Sequence, residues 1–158
     1  MSDTSNPQET RQRALLQLLR TADIVWNASR TLFERWDLSP SQFNVLNLLH
    51  LRPEGLSQTD LSRELVMHRS NVTGLVDRLE KRGLLARHDV AADRRAYRVV
   101  LTESGEQILR EILPLYEKGT ATLLDHVPAR RAAAMADDLE TIAARASAVA
   151  EELRTQKN

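Results

Sequence analysis

Residues 56–102 read LSQTDLSRELVMHRSNVTGLVDRLEKRGLLARHDVAADRRAYRVVLT. Ser57 offers a capping hydroxyl and Asp60 suits the first turn of a helix, so a short helix is predicted to start there. Leu61 and Leu65 would point inward from it, and Val66-Met67-His68 would form the turn that follows. A second helix is predicted from Arg69 to Arg82, with Gly83 as the residue just past its end. Val72, Leu75, Val76 and Leu79 share one side of this helix. Ser70, Gly74, Asp77 and Lys81 share the other, flanked by Thr73 and Arg78. Leu84 to His88 reads as a strand, Val90-Ala91-Ala92-Asp93 as a tip, and Arg95 to Leu101 as a second strand. In that strand Tyr97, Val99 and Leu101 alternate onto one face. The order is helix, turn, helix, β-hairpin, which is a winged helix-turn-helix.

Upstream, Ser39-Pro40-Ser41-Gln42 is a helix start, with Ser39 as cap, Pro40 at the first position and Gln42 reaching back. Phe43, Leu46 and Leu49/His50 form the inner face, and Arg52-Pro53-Glu54-Gly55 ends the helix. From Arg11 to Asp37, Leu15, Leu18, Ala22, Val25, Ser29, Leu32 and Trp36 recur at spacings of three and four. Leu19, Trp26 and Phe33 widen that stripe. Met1 to Thr10 is polar and reads as a frayed tail. Downstream, Thr102 can cap a helix through Ile108, Leu109, Ile112, Leu115 and Tyr116, which Pro114 should kink or split. Pro128 opens a last helix with a seam of Met135, Leu139, Ile142, Ala146, Val149 and Leu153. Two such arms are hard to satisfy within one small subunit, which points to a two-fold dimer; packing of the arms on each other is the alternative. The expected fold is mainly α with a small β-hairpin wing. Residues 1–10 and 155–158 are tails, 11–37 and 103–154 dimerisation helices, and 38–102 the winged helix-turn-helix domain.

The chain has no cysteine, which excludes disulfides and thiolate metal sites. No apolar run is long enough to span a bilayer, and MSDTSNPQET lacks the features of a signal peptide, so a cytoplasmic protein is expected. Net charge is zero, yet the segment from Arg63 to Arg98 holds nine cations against five anions. A basic centre between acidic arms is polarised, although charge alone does not distinguish it from ordinary solvated surface.

A helix that reads the major groove needs a buried face to hold it and a small polar face to enter. The Arg69–Arg82 helix offers both. Arg69, Ser70, Asn71, Thr73 and Arg78 are candidates for contacts to bases or phosphates. Gly74 costs about 1 kcal/mol of helix propensity relative to Ala, so it serves either close approach to DNA or packing within the protein, or is a tolerated defect. Arg94 and Arg95 on the hairpin suit the negative potential of a narrow minor groove, and Asp93 would orient an arginine.

The stretch resembles the MarR family of bacterial transcriptional regulators. The resemblance is carried by Val72-Thr73, Leu75 to Leu84, Asp93-Arg94-Arg95-Ala96 and Leu101 to Gly105, with Leu38 to Leu46 similar to the opening of the family's second helix. The end arms match only in helical character. The resemblance implies a homodimer on a pseudo-palindromic operator in double-stranded DNA, acting as repressor or activator. It also implies release by a small, frequently aromatic ligand. It assigns DNA contacts to Ser70, Asn71, Thr73, Arg78, Arg94 and Arg95. Two departures stand out: Gly74 replaces a basic or larger polar residue of many relatives, and Ala91-Ala92 replace a frequent wing proline.

Trp26, Arg30, Phe43, Asn47 and His50 are candidates for the effector pocket by position, although aromatic stripes on helices usually form core. His50, His68, His88 and His126 show no metal-ligand spacing. No catalytic constellation, phosphate loop or cofactor motif is present, so no enzyme is expected. The competing expectation is a winged-helix protein-interaction module without specific DNA binding.

Overall fold

A computed structural model describes residues 6–90 and 93–156; of residues 90 and 93–96 the backbone alone is described. The described residues form α1 (Pro7–Phe33), a 3-10 turn (Glu34–Trp36), α2 (Pro40–His50), α3 (Gln58–Glu64), α4 (Arg69–Lys81), β1 (Leu85–Val90), β2 (Asp93–Leu101), α5 (Glu103–Leu124) and α6 (Ala129–Thr155). The mainly helical chain with one antiparallel hairpin is the winged-helix arrangement that the sequence predicts.

Local chemistry sets most of the boundaries. Ser39 and Gln42 complete a reciprocal capping box at the start of α2, each side chain bonding the other's backbone N–H. Ser57 caps α3 through the N–H of Asp60 and donates its hydroxyl to the Asp60 carboxylate at 2.6 Å. That hydrogen bond, with nearby Arg63 and Arg98, holds the Asp60 carboxyl below the usual carboxylate range. His68 caps α4, and Gly83 adopts φ 69° past its end, where a side chain would be strained.

Two boundaries differ from expectation. α1 begins at Pro7, because Asn6 accepts from the N–H of Gln8 and Pro7 fits the first turn; residues 6–10 are therefore helix or cap rather than tail. The rest of the expected tail, residues 1–5, lies outside the described residues. α5 runs as one helix through Pro114 rather than splitting there. A proline removes one backbone donor, and Leu109 and Ile112, both fully buried, hold the turn before it.

The chain divides into two compact units, Met1–Pro114 and Leu115–Asn158. The first holds the core. Phe33 from α1 stacks on Phe43 from α2 at 4.2 Å between centroids. Val45, Leu46 and Leu49 of α2, Leu61 of α3, and Val72, Leu75, Val76 and Leu79 of α4 pack with Leu84, Leu85, Val99, Leu109 and Ile112. Each such burial contributes about 1.5–3 kcal/mol, which offsets the entropy of ordering the short helices. β1 and β2 pair antiparallel from Leu85↔Leu101 to Asp89↔Tyr97, with an irregularity beyond Asp89. Leu56 adds a bridge to Val99 through two backbone hydrogen bonds, so the hairpin is braced by the segment before α3. In the second unit α6 has no buried residue, and Met135, Leu139, Ile142, Val149 and Leu153 are all exposed. α1 likewise leaves Leu15, Leu16, Leu19, Ile24, Val25 and Trp26 exposed.

Candidate nucleic-acid interface

Helix α4 is held by one face and open on the other. Val72, Val76 and Leu79 are fully buried and Leu75 nearly so, whereas Arg69, Ser70, Asn71 and Arg78 are exposed. The exposed groups are not equally available. Arg69 donates to the Thr59 hydroxyl of α3 at 2.9 Å, which ties the two helices together. The Thr73 hydroxyl turns back to the Arg69 carbonyl at 3.0 Å. The Ser70 hydroxyl pairs with the capping His68 ring at 2.8 Å. Asn71 and Arg78 have no side-chain partner among the described residues, so both are ready to bond something else.

The wing is fixed to this helix by a residue that the sequence did not single out. Arg87 of β1 bonds Asp77 of α4 at 2.5 Å and Glu80 of the same helix, and its guanidinium lies over the Tyr97 ring of β2 at 5.2 Å. Burial would pull the Arg87 pKa down; the bonds to Asp77 and Tyr97 and the charge of Glu80 outweigh it, and the group is held above its ordinary value. Arg87 therefore stays charged and joins helix to hairpin. At the other end of α4, Arg82 donates to the carbonyls of Trp36, at 2.8 Å, and Asp37. The backbone of Asp93, Arg94 and Arg95 forms the start of β2; their side chains, and Ala91-Ala92 at the tip, lie outside what is described.

A family model described as MarR family matches residues 36–96, which span α2 to the first part of β2. Residues 36–96 form a MarR-family domain. The chain is also similar to solved MarR structures over most of its length. A MarR family transcriptional regulator from Silicibacter pomeroyi DSS is 27% identical, with a TM-score of 0.75, covering 90% of this chain and 95% of that one. CouR from Rhodococcus jostii RHA1, solved bound to p-coumaroyl-CoA, is 27% identical with a TM-score of 0.75, covering 80% of this chain and 89% of that one. MepR from S. aureus, solved as a DNA complex, shares the fold at 20% identity and a TM-score of 0.73, covering 83% of this chain and 93% of that one.

Within the MarR domain, Gly74 is not a packing glycine. A Cβ there would meet only the Arg78 guanidinium, at 3.5 Å and beyond, which is ordinary contact. Gly74→Ala is therefore expected to raise stability by about 1 kcal/mol through helix propensity alone. Thermal or urea unfolding checks this, and a loss of stability would show that the glycine is needed inside the fold. If the same variant binds DNA more weakly, the glycine serves close approach.

The five effector candidates are spread over α1 and α2. Arg30 lines a shallow cleft of about 280 Å³ with Glu34, Asp37, Leu38, Ser39, Pro40 and Gln42, and the other four are not part of its lining. Phe43 is core, stacked on Phe33. Trp26 is exposed on α1, and Asn47 is half-buried on α2. His50 Nδ1 lies 2.9 Å from the Glu106 carboxylate of α5. Among the described residues no cluster of His, Asp or Glu could hold a metal ion, and no helix is long and apolar enough to cross a membrane.

Proposed function

We propose that this MarR-family protein is a cytoplasmic, sequence-specific DNA-binding transcriptional regulator that acts as a homodimer on a pseudo-palindromic operator. The carrying observation is α4, buried along one face and presenting unpartnered Asn71 and Arg78 on the other, beside a hairpin clamped to it through Arg87. The MepR–DNA complex, which has the same fold, supports this reading. The exposed apolar residues of α1 and α6 support dimerisation, since stripes of that kind are stable only when covered. A two-fold dimer would place its two α4 helices in successive major grooves, about 34–36 Å apart. Arg94 and Arg95 would enter the flanking minor grooves, with Asp93 orienting them.

The further proposal is repression relieved by a small, aromatic effector, for which CouR with its bound p-coumaroyl-CoA is the supporting likeness. Trp26, Arg30, Phe43, Asn47 and His50 remain the proposed contacts. A tenfold loss of operator occupancy requires only about 1.4 kcal/mol of differential binding between the two states.

Fluorescence anisotropy with duplexes from the gene's own upstream region, titrated with salt, tests the DNA reading. Tight binding should fall steeply with salt as counterions are released, and Arg94→Ala with Arg95→Ala should flatten that slope by roughly two units. Absence of binding to every duplex at low salt would overturn the reading and favour a protein-interaction module.

A further inference from the structure

The outward face of α4 forms one wall of a cleft of about 360 Å³, and the opposite wall comes from α2. Asn71, Gly74 and Arg78 line one side, and Ser39 and Ser41 line the other, with Met67 and Leu75 also contributing. Several of these residues carry donors that the fold leaves available. Asn71, Arg78 and the Ser41 hydroxyl have no side-chain partner among the described residues. Ser39 Oγ accepts from the N–H of Gln42 and keeps its own proton to donate. Every residue lining this cleft is neutral or cationic, whereas the Arg30 cleft is lined by Glu34 and Asp37, which would repel an anion.

Resting on the DNA reading above, we propose that this cleft seats a phosphodiester of the DNA backbone, with Ser41 of α2 as a contact outside both the recognition helix and the wing. With α4 in a major groove, whatever lies between its outward face and α2 is the wall of that groove, which is sugar and phosphate. Neutral and cationic donors match that wall, and Gly74 keeps it within reach. Such a contact sets the depth and register of α4 without reading sequence.

Ser41→Asp tests the proposal, because its two effects have opposite signs. A carboxylate in the first turn of α2 favours the helix, so the melting temperature should stay level or rise. The same charge repels phosphate, and affinity should fall by roughly tenfold or more, with Ser41→Ala losing roughly fivefold. The probes are a duplex enriched by the wild-type protein from a random-sequence library, and an unrelated duplex of equal length. A backbone contact predicts the same fold-loss on both, whereas Asn71→Ala should weaken the enriched duplex more. Wild-type affinity in Ser41→Asp, with Asn71→Ala impaired, would overturn the phosphate seat and leave the DNA reading standing. A loss confined to the enriched duplex would also overturn it, by making Ser41 a base contact. A wild-type protein that enriches and binds no duplex would overturn both.

Discussion

Gly105→Ala should destabilise the protein by about 3 kcal/mol or more, a large effect for one added methyl group. A Cβ at Gly105 would run into the Leu84 carbonyl oxygen and lie 3.0 Å from Leu101 Cδ2. The carbonyl cannot move alone, because it accepts the N–H of Thr102 at 3.2 Å. The Thr102 hydroxyl in turn donates to the Gly83 carbonyl at 2.6 Å and accepts the N–H of Gly105 at 3.1 Å. The end of α4, the start of β1, the end of β2 and the first turn of α5 are thus joined within a few ångströms. The helix propensity gained by alanine, about 1 kcal/mol, is too small to offset a clash with backbone. Urea unfolding should show a lower midpoint with an unchanged slope. Gly119→Ala is the control: it lies in the same helix, meets nothing within 4 Å, and should be neutral or stabilising. Equal midpoints for the two variants would mean that α5 slides to relieve the contact.

Arg87→Met should cost more in DNA affinity than in stability. The pairs it breaks are partly solvated, with Asp77 49% and Glu80 37% exposed, so the stability loss should be about 1 kcal/mol. For DNA the change is larger. One positive charge is lost, two carboxylates on α4 are left uncompensated, and the hairpin loses its tie to that helix. Repulsion between those carboxylates and phosphate alone predicts a loss of roughly tenfold at low salt, more than the fold tolerates silently. Arg87→Lys should recover only part of it, since an ammonium keeps the charge but not the two-pronged bond or the stack on Tyr97. Anisotropy titrations alongside urea midpoints separate the effects. Undiminished DNA affinity in Arg87→Met would show that the wing needs no such anchor.

Much of the fold was legible because its signals are local. The capping box of Ser39 and Gln42, the Ser57 cap, Gly83 past the end of α4 and the alternation of Tyr97, Val99 and Leu101 are decided by neighbours a few residues apart. Asn6-Pro7 was a signal of the same kind that a polar composition obscured. On α4, periodicity separated the buried from the exposed face, which located Ser70, Asn71 and Arg78.

Other features depended on contacts between distant parts of the chain. Nothing local shows that Arg87 would reach Asp77 and Glu80, that Leu56 would bridge Val99, or that Arg69 and Thr73 would spend their donors inside the protein. Ser41 reads from sequence as one residue of a helix start; only the packing of α2 against α4 brings it across a cleft from Asn71, thirty positions away. Hydrophobic pattern and capping act along the chain, so residue order alone determined which segments are helix or strand and which face of each is buried. Ion pairs and clefts arise between segments, and their geometry exists only once the core has set how those segments pack.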